Sequence, residues 1–295
     1  MKWCIFIAAV FSFSVARAEV SKPTPGADLP LTWQNEEIPL AIEYSPGKPV
    51  LARIKRPSAL SGEPLPVLLV FGGFQNAARV LELVAPDRPV VLASFDYPFD
   101  PPRKFAFPGS LRFAPDVKRM ISDTASGIDE LILKLKDRDY VDPTQLTIVG
   151  ASLGAPFAVS AAARNVEFSN LVVVHGFGDI PATAKHQLVR SWRPKFGWVA
   201  EPLAWGLAHF GWWYLGSPSP ERDALRLRSS QRVLMISAEA DSFIPKDAGE
   251  ALWEAIQKSP AVPERIIMPG DHLQPGSESL ISEIMRRVNA WLKFH

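Results

Sequence analysis

Cysteine is almost absent. The 295 residues hold a single one, Cys4, so no intrachain disulfide can form and no thiolate metal site can be assembled. Histidine is sparse too: His175, His186, His209, His272 and His295. They form no His-x-His or His-x-x-x-His pair, which leaves a zinc site without its usual ligand spacing. Charge of one sign is also lacking. The formal net charge is +1, with no long basic run, so nucleic acid is not an expected partner. No metal and no cofactor are expected.

Apolar runs long enough to span a bilayer are missing as well. The longest, Trp3 to Val15, follows Met1-Lys2 and precedes Ala16-Arg17-Ala18. A positive start, a short apolar stretch and a small-x-small end make a secretory signal peptide over residues 1–18. Its removal would take away the only cysteine and the cations Lys2 and Arg17, moving the net charge from +1 to −1. The expected product is exported, periplasmic or secreted, with no stable membrane span left after cleavage. Residues 19–37 are polar and bear Pro23, Pro25 and Pro30, as an irregular N-terminal arm would. The domain proper is expected over 38–295.

What is present is a series of short apolar runs without alternation. Pro66–Phe71, Val90–Phe95, Leu146–Val149, Leu171–His175, Val233–Ser237 and Arg265–Met268 are of this kind. Strands buried on both faces read this way, as in a parallel sheet covered by helices. Ile38–Tyr44 and Val50–Lys55 flank a Ser-Pro-Gly turn and suggest an edge hairpin. Helical periodicity is clearest over Asp116–Asp137, with further helices over Lys246–Lys258 and Ser279–Phe294. The alternation predicts an α/β fold with a mostly parallel, doubly wound sheet.

Polar residues that stand directly after such runs gather at the carboxyl edge of a parallel sheet. After Val149 comes Gly150-Ala151-Ser152-Leu153-Gly154, the Gly-x-Ser-x-Gly pattern of a nucleophile elbow. After Ser237 comes Ala238-Glu239-Ala240-Asp241. After Met268 comes Pro269-Gly270-Asp271-His272. After Val70 comes Phe71-Gly72-Gly73-Phe74. These are the parts of a serine hydrolase, in the chain order Ser, Asp, His. A serine hydroxyl needs a base within hydrogen-bond reach, and a neutral imidazole can serve. Ser152 is therefore the expected nucleophile, His272 the base and Asp241 the acid. Asp179 and Glu239 are alternatives for the acid. The anionic intermediate needs N–H donors, expected from Leu153 and from Gly73 or Phe74. His175 precedes Asp241, the wrong order for the base, and reads as a packed or supporting histidine; Asp271 reads as a loop-bonding carboxylate.

With these motifs the chain resembles the α/β-hydrolase superfamily. "YVDPTQLTIVGASLGAPFAVSAAA" and "AEADSFIP" are most similar to its dienelactone-hydrolase and acyl-esterase branch. The resemblance spans about Pro39 to the C-terminus. It implies an α/β-hydrolase fold and cleavage of a carboxylic ester through an acyl-enzyme. Two departures stand out: Ala155-Pro156 follows the elbow where a glycine is common, and Phe71 occupies a place where many relatives have histidine.

One interval is longer than a crossover helix needs. Residues 179–219 hold Trp192, Trp198, Trp205, Trp212 and Trp213, five of the nine tryptophans. This segment is expected to be a cap inserted over one end of the sheet. On a helix beginning near Pro202, Trp205 and Trp212 would form an apolar wall for the acyl group of a small-molecule ester.

Overall fold

The computed structural model describes residues 32–58, 62–73, 76–99, 112–216, 218–274 and 276–292. The expected signal peptide, most of the expected N-terminal arm and Phe74 lie outside the described residues.

Eight strands form one sheet in the order β1-β2-β4-β3-β5-β6-β7-β8. They are β1 (Trp33–Ser45), β2 (Lys48–Pro57), β3 (Leu65–Phe71), β4 (Val91–Phe95), β5 (Val141–Ala151), β6 (Phe168–Val174), β7 (Arg232–Ala238) and β8 (Val262–Met268). The neighbours from β4 through β8 pair in parallel. β1 and β2 form an antiparallel hairpin that joins the sheet through β4. β1 starts at Trp33, so the sheet reaches into residues 33–37, whose polarity suggests an irregular arm. An edge strand tolerates such polarity: Glu36 accepts hydrogen bonds from Arg138 (2.6 Å) and from the Tyr140 hydroxyl (3.0 Å).

The unalternating apolar runs follow from helices on both faces. Within β6, Leu171 and Val173 join one core while Val172 and Val174 join the other. β7 divides in the same way, with Val233 and Met235 against Leu234 and Ile236. Over Leu171–Val174 and Val233–Ile236 every position is buried, so no polar residue interrupts these runs. The edge run Arg265–Met268 departs from the expectation, with Ile267 exposed because β8 has a neighbouring strand on one side only. The larger core is closed by α2 (Ala114–Lys136), α3 (Gly154–Arg164) and α7 (Lys246–Lys258) through Ile128, Leu131, Ala158, Leu252 and Ile256. The smaller is closed by α1 (Ala77–Leu83) and α8 (Glu278–Trp291) through Val80, Leu81, Ile284 and Val288.

The long interval after β6 is a helical hairpin. α4 (Ile180–Phe196) and α5 (Ala200–Leu215) are joined by one 3-10 turn and followed by the short α6 (Pro220–Ala224). Among the described residues no helix is long and apolar enough to cross a membrane.

Candidate active site

The site begins with the turn at the end of β5. Ser152 has φ +52°, a left-handed conformation that side chains seldom adopt. Its N–H donates to the Val174 carbonyl (2.9 Å) and its carbonyl accepts from the Ala155 N–H (3.0 Å), so the strain is held by backbone on both sides. The two flanking glycines are required by space. A Cβ on Gly150 would stand 2.5 Å from the Ala158 Cβ, and one on Gly154 would stand 2.1 Å from the Phe71 carbonyl oxygen. Pro156 falls in the first turn of α3, where its missing N–H costs no helical bond.

His272 and Asp241, the expected base and acid, stand on loops after β8 and β7. The Ser152 hydroxyl lies 2.8 Å from His272 Nε2, and His272 Nδ1 lies 2.9 Å from Asp241 Oδ2. With Nδ1–H donating to the carboxylate, Nε2 is left as the acceptor for the serine proton. His272 is buried, and the Phe243 ring lies beside it at 5.2 Å between centroids. Asp241 Oδ1 accepts the N–H groups of Phe243 (2.9 Å) and Ile244 (2.8 Å). Burial alone would raise this carboxyl. The His272 hydrogen bond and the two backbone donors outweigh it and hold the group below the usual carboxylate range.

The two alternative acids sit elsewhere. Asp179 has φ +32° and caps α4 by accepting the Ala182 N–H (3.0 Å). Glu239 is exposed after β7. Asp271 ties the two loops together: it accepts the Ser242 N–H (2.6 Å), the Ser242 hydroxyl (2.8 Å) and the His272 N–H (2.6 Å). The acid loop and the base loop are thus one hydrogen-bonded unit.

Of the expected oxyanion donors, Leu153 and Gly73 are among the described residues. Leu153 is the N-cap of α3, where first-turn N–H groups lack helical partners. Gly73 stands two residues past the end of β3. Its neighbour Gly72 is held by a residue that the sequence does not single out. The buried Tyr97 donates its hydroxyl to the Gly72 carbonyl (2.7 Å). Burial pushes that hydroxyl's pKa up, so it stays a donor. The only signal for Tyr97 is its place just past the β4 run.

His175 directly follows β6, with φ +47°, and is buried. Its Nδ1 accepts the Leu273 N–H (3.1 Å), which anchors the residue after the base. Its Nε2 is buried and has no hydrogen-bond partner among the described residues, and its ring lies 5.4 Å from that of His272. Donor atoms of His175, Asp241 and His272 lie within 4.8 Å of one another. The Asp241 and His272 atoms are already joined by a hydrogen bond, which a metal ion would have to break. Desolvation, and then the charge of His272, lower the His175 pKa to about 4.

That value carries a sign. Between the folded value of about 4 and the ordinary 6.5, the unfolded chain binds a proton that the folded chain refuses. Stability therefore falls as pH drops through this window, by up to about 3 kcal/mol. His175→Asn keeps an acceptor for the Leu273 N–H and tolerates positive φ. It is expected to flatten the difference in melting temperature between about pH 7.5 and about pH 4.5. An unchanged difference would mean that His175 takes up its proton without unfolding.

The tryptophan segment packs through its small residues. α5 buries Ala204, Leu207, Ala208, Gly211 and Leu215. Small residues let it pack closely, and the wide rings are left to the other side. Trp205 is exposed and stacks on His209 at 4.4 Å, while Trp212 is half-buried at the flank. The aromatic side of α5 is thus largely exposed to solvent. The hairpin reaches the site through α4. His186 Nε2 (3.1 Å) and Arg190 (3.2 Å) donate to the Ser242 carbonyl, Gln187 donates to the Phe243 carbonyl, and the Arg190 guanidinium covers the Phe243 ring.

Comparison with known proteins agrees with this architecture. No model of a known protein family matches the chain. A curated relative, hydrolase acrC of Aspergillus aculeatus, is 23% identical over 265 residues, covering 80% of this chain and 59% of that protein. The chain thus spans under two thirds of that relative's length. Among solved structures, a candidate dienelactone hydrolase from Klebsiella pneumoniae superposes with TM-score 0.59 at 16% identity, covering 88% of this chain and 98% of the other. Carboxyl esterase 2 from the fungus Tuber melanosporum gives TM-score 0.56 at 17% identity, covering 94% and 90%. The chain has the α/β-hydrolase fold.

Proposed function

We propose that this protein is an exported serine hydrolase that cleaves a carboxylic ester through an acyl-enzyme. The observation that carries the reading is the continuous line from the Ser152 hydroxyl through His272 to Asp241, at 2.8 and 2.9 Å. Supporting it, the comparisons include proteins described as an esterase and as hydrolases.

Ser152 Oγ attacks the acyl carbon while His272 Nε2 takes its proton. Asp241 holds the ring and stabilises the imidazolium. The oxyanion is received by the Leu153 N–H and a donor from the Gly73–Phe74 loop. His272 returns the proton to the leaving alcohol. Water, deprotonated by the same nitrogen, then releases the acid. No step calls on a metal or cofactor. The apolar leader at residues 1–18 supports export.

A fluorophosphonate probe tests the class. It is expected to add one label at Ser152, absent in Ser152→Ala. Turnover of p-nitrophenyl esters of graded chain length then gives the acyl preference. A wild-type protein that neither labels nor hydrolyses any of these esters would overturn the reading and leave a binding protein on a hydrolase fold.

A further inference from the structure

The α4–α5 hairpin is built the wrong way round for a water-facing element. A surface helix normally presents charge to solvent. At about 100° per residue, Trp205, His209, Phe210 and Trp213 of α5 share one side, opposite the buried Ala204, Leu207, Ala208 and Gly211. Trp213 is 72% exposed and Trp205 56%, and in the turn between the helices Trp198 is 83% exposed. Three indoles standing in solvent on one hairpin mark an interaction surface.

Charge identifies what it fits. Residues 180–216 carry Lys185, Arg190, Arg193 and Lys195 against one acid, Glu201. Glu201 is taken up by Lys185 at 3.0 Å. Arg193 and Lys195, next to Phe196 and Trp198, have no ion-pair partner among the described residues, and His186, Arg190 and Arg193 line an open groove on α4. A second copy of this face would bring cation against cation. Exposed indoles with cations beside them and no free acid suit an anionic lipid surface, where rings settle at headgroup level and cations meet phosphates.

We propose that the α4–α5 hairpin docks the protein on anionic lipid bilayers, with Trp198, Trp205 and Trp213 in the headgroup boundary and Arg193 and Lys195 on lipid phosphates. The inference does not depend on the catalytic reading, because it calls on none of Ser152, His272 and Asp241.

Co-sedimentation with vesicles tests it, using phosphatidylcholine alone and an equimolar mixture with phosphatidylglycerol. The wild-type protein is expected to bind the mixed vesicles and to be released by salt. Trp213→Ser and Trp198→Ser should each weaken binding about tenfold, and Arg193→Glu with Lys195→Glu by at least about fivefold for each charge. Soluble-ester turnover and melting temperature of the tryptophan variants should stay at wild-type values, since those rings are mostly in solvent. Three outcomes would overturn the proposal: no binding to anionic vesicles, binding that none of these variants weakens, or a wild-type dimer in sedimentation that Trp213→Ser dissociates.

Discussion

Ser152→Ala is expected to lower ester turnover by about four to six orders of magnitude while leaving the fold intact. The loss follows because the Ser152 hydroxyl is the group held 2.8 Å from His272 Nε2, and alanine supplies no nucleophile. The fold should survive because the elbow is held by backbone bonds to Val174 and Ala155, which alanine also makes. Alanine at positive φ costs about 1 to 2 kcal/mol, and serine at the same φ already pays nearly all of it. The acid is tested in the same assay. Asp241→Asn leaves the side chain its size but lets an amide N–H face His272 Nδ1. The proton then moves to Nε2, where it blocks acceptance from Ser152, for a loss of about 10⁴. Asp179→Asn should be nearly silent, since asparagine both caps a helix and tolerates the left-handed backbone seen there. Near wild-type turnover in Asp241→Asn would sink this assignment of the acid.

Much of this site is legible in the sequence because each part stands at the end of an apolar run. A parallel sheet aligns the ends of its strands, so residues 120 positions apart, Ser152 and His272, meet at one edge. The same regularity exposes the sheet, since the central stretches of its inner strands, such as Leu171–Val174 and Val233–Ile236, are buried on both faces and carry no polar residue. Three features are hidden for a shared reason: they depend on what faces what. Tyr97 supports the Gly72 carbonyl across the fold, 25 positions away. The split of Asp271 between Ser242 and His272 depends on two loops meeting. The side on which the tryptophans lie is decided by which face of α5 is narrow enough to pack. Periodicity shows that Trp205 and Trp213 share a face, but Ala204, Ala208 and Gly211 decide that the opposite face goes inward. The β1 start at Trp33 is missed because polar edge positions look like a loop until Arg138 and Tyr140 are seen to meet Glu36.

The same substitution at two glycines should have opposite signs. Gly154→Ala is expected to lower the melting temperature by about 6–12 °C, corresponding to about 3 kcal/mol. The new Cβ would stand 2.1 Å from the Phe71 carbonyl oxygen and 2.6 Å from its carbon, so strand β3 or helix α3 must move. Neither can move cheaply, because β3 pairs with β5 through Phe71 and Gly150, at the same elbow. Displacing this turn also shifts the Ser152 hydroxyl and the Leu153 N–H together, and a shift of about 1 Å in reacting groups costs about a hundredfold in rate. Turnover should therefore fall even at temperatures where the variant is folded. Gly249→Ala makes the contrast. That glycine lies inside α7 with nothing within 4 Å of an added Cβ. Alanine there should raise stability by about 0.5 to 1 kcal/mol through helix propensity, with turnover unchanged. Differential scanning calorimetry of the two variants beside the wild type decides the matter. If Gly154→Ala melted at the wild-type temperature with full activity, the close approach of α3 to Phe71 would not hold the nucleophile in place.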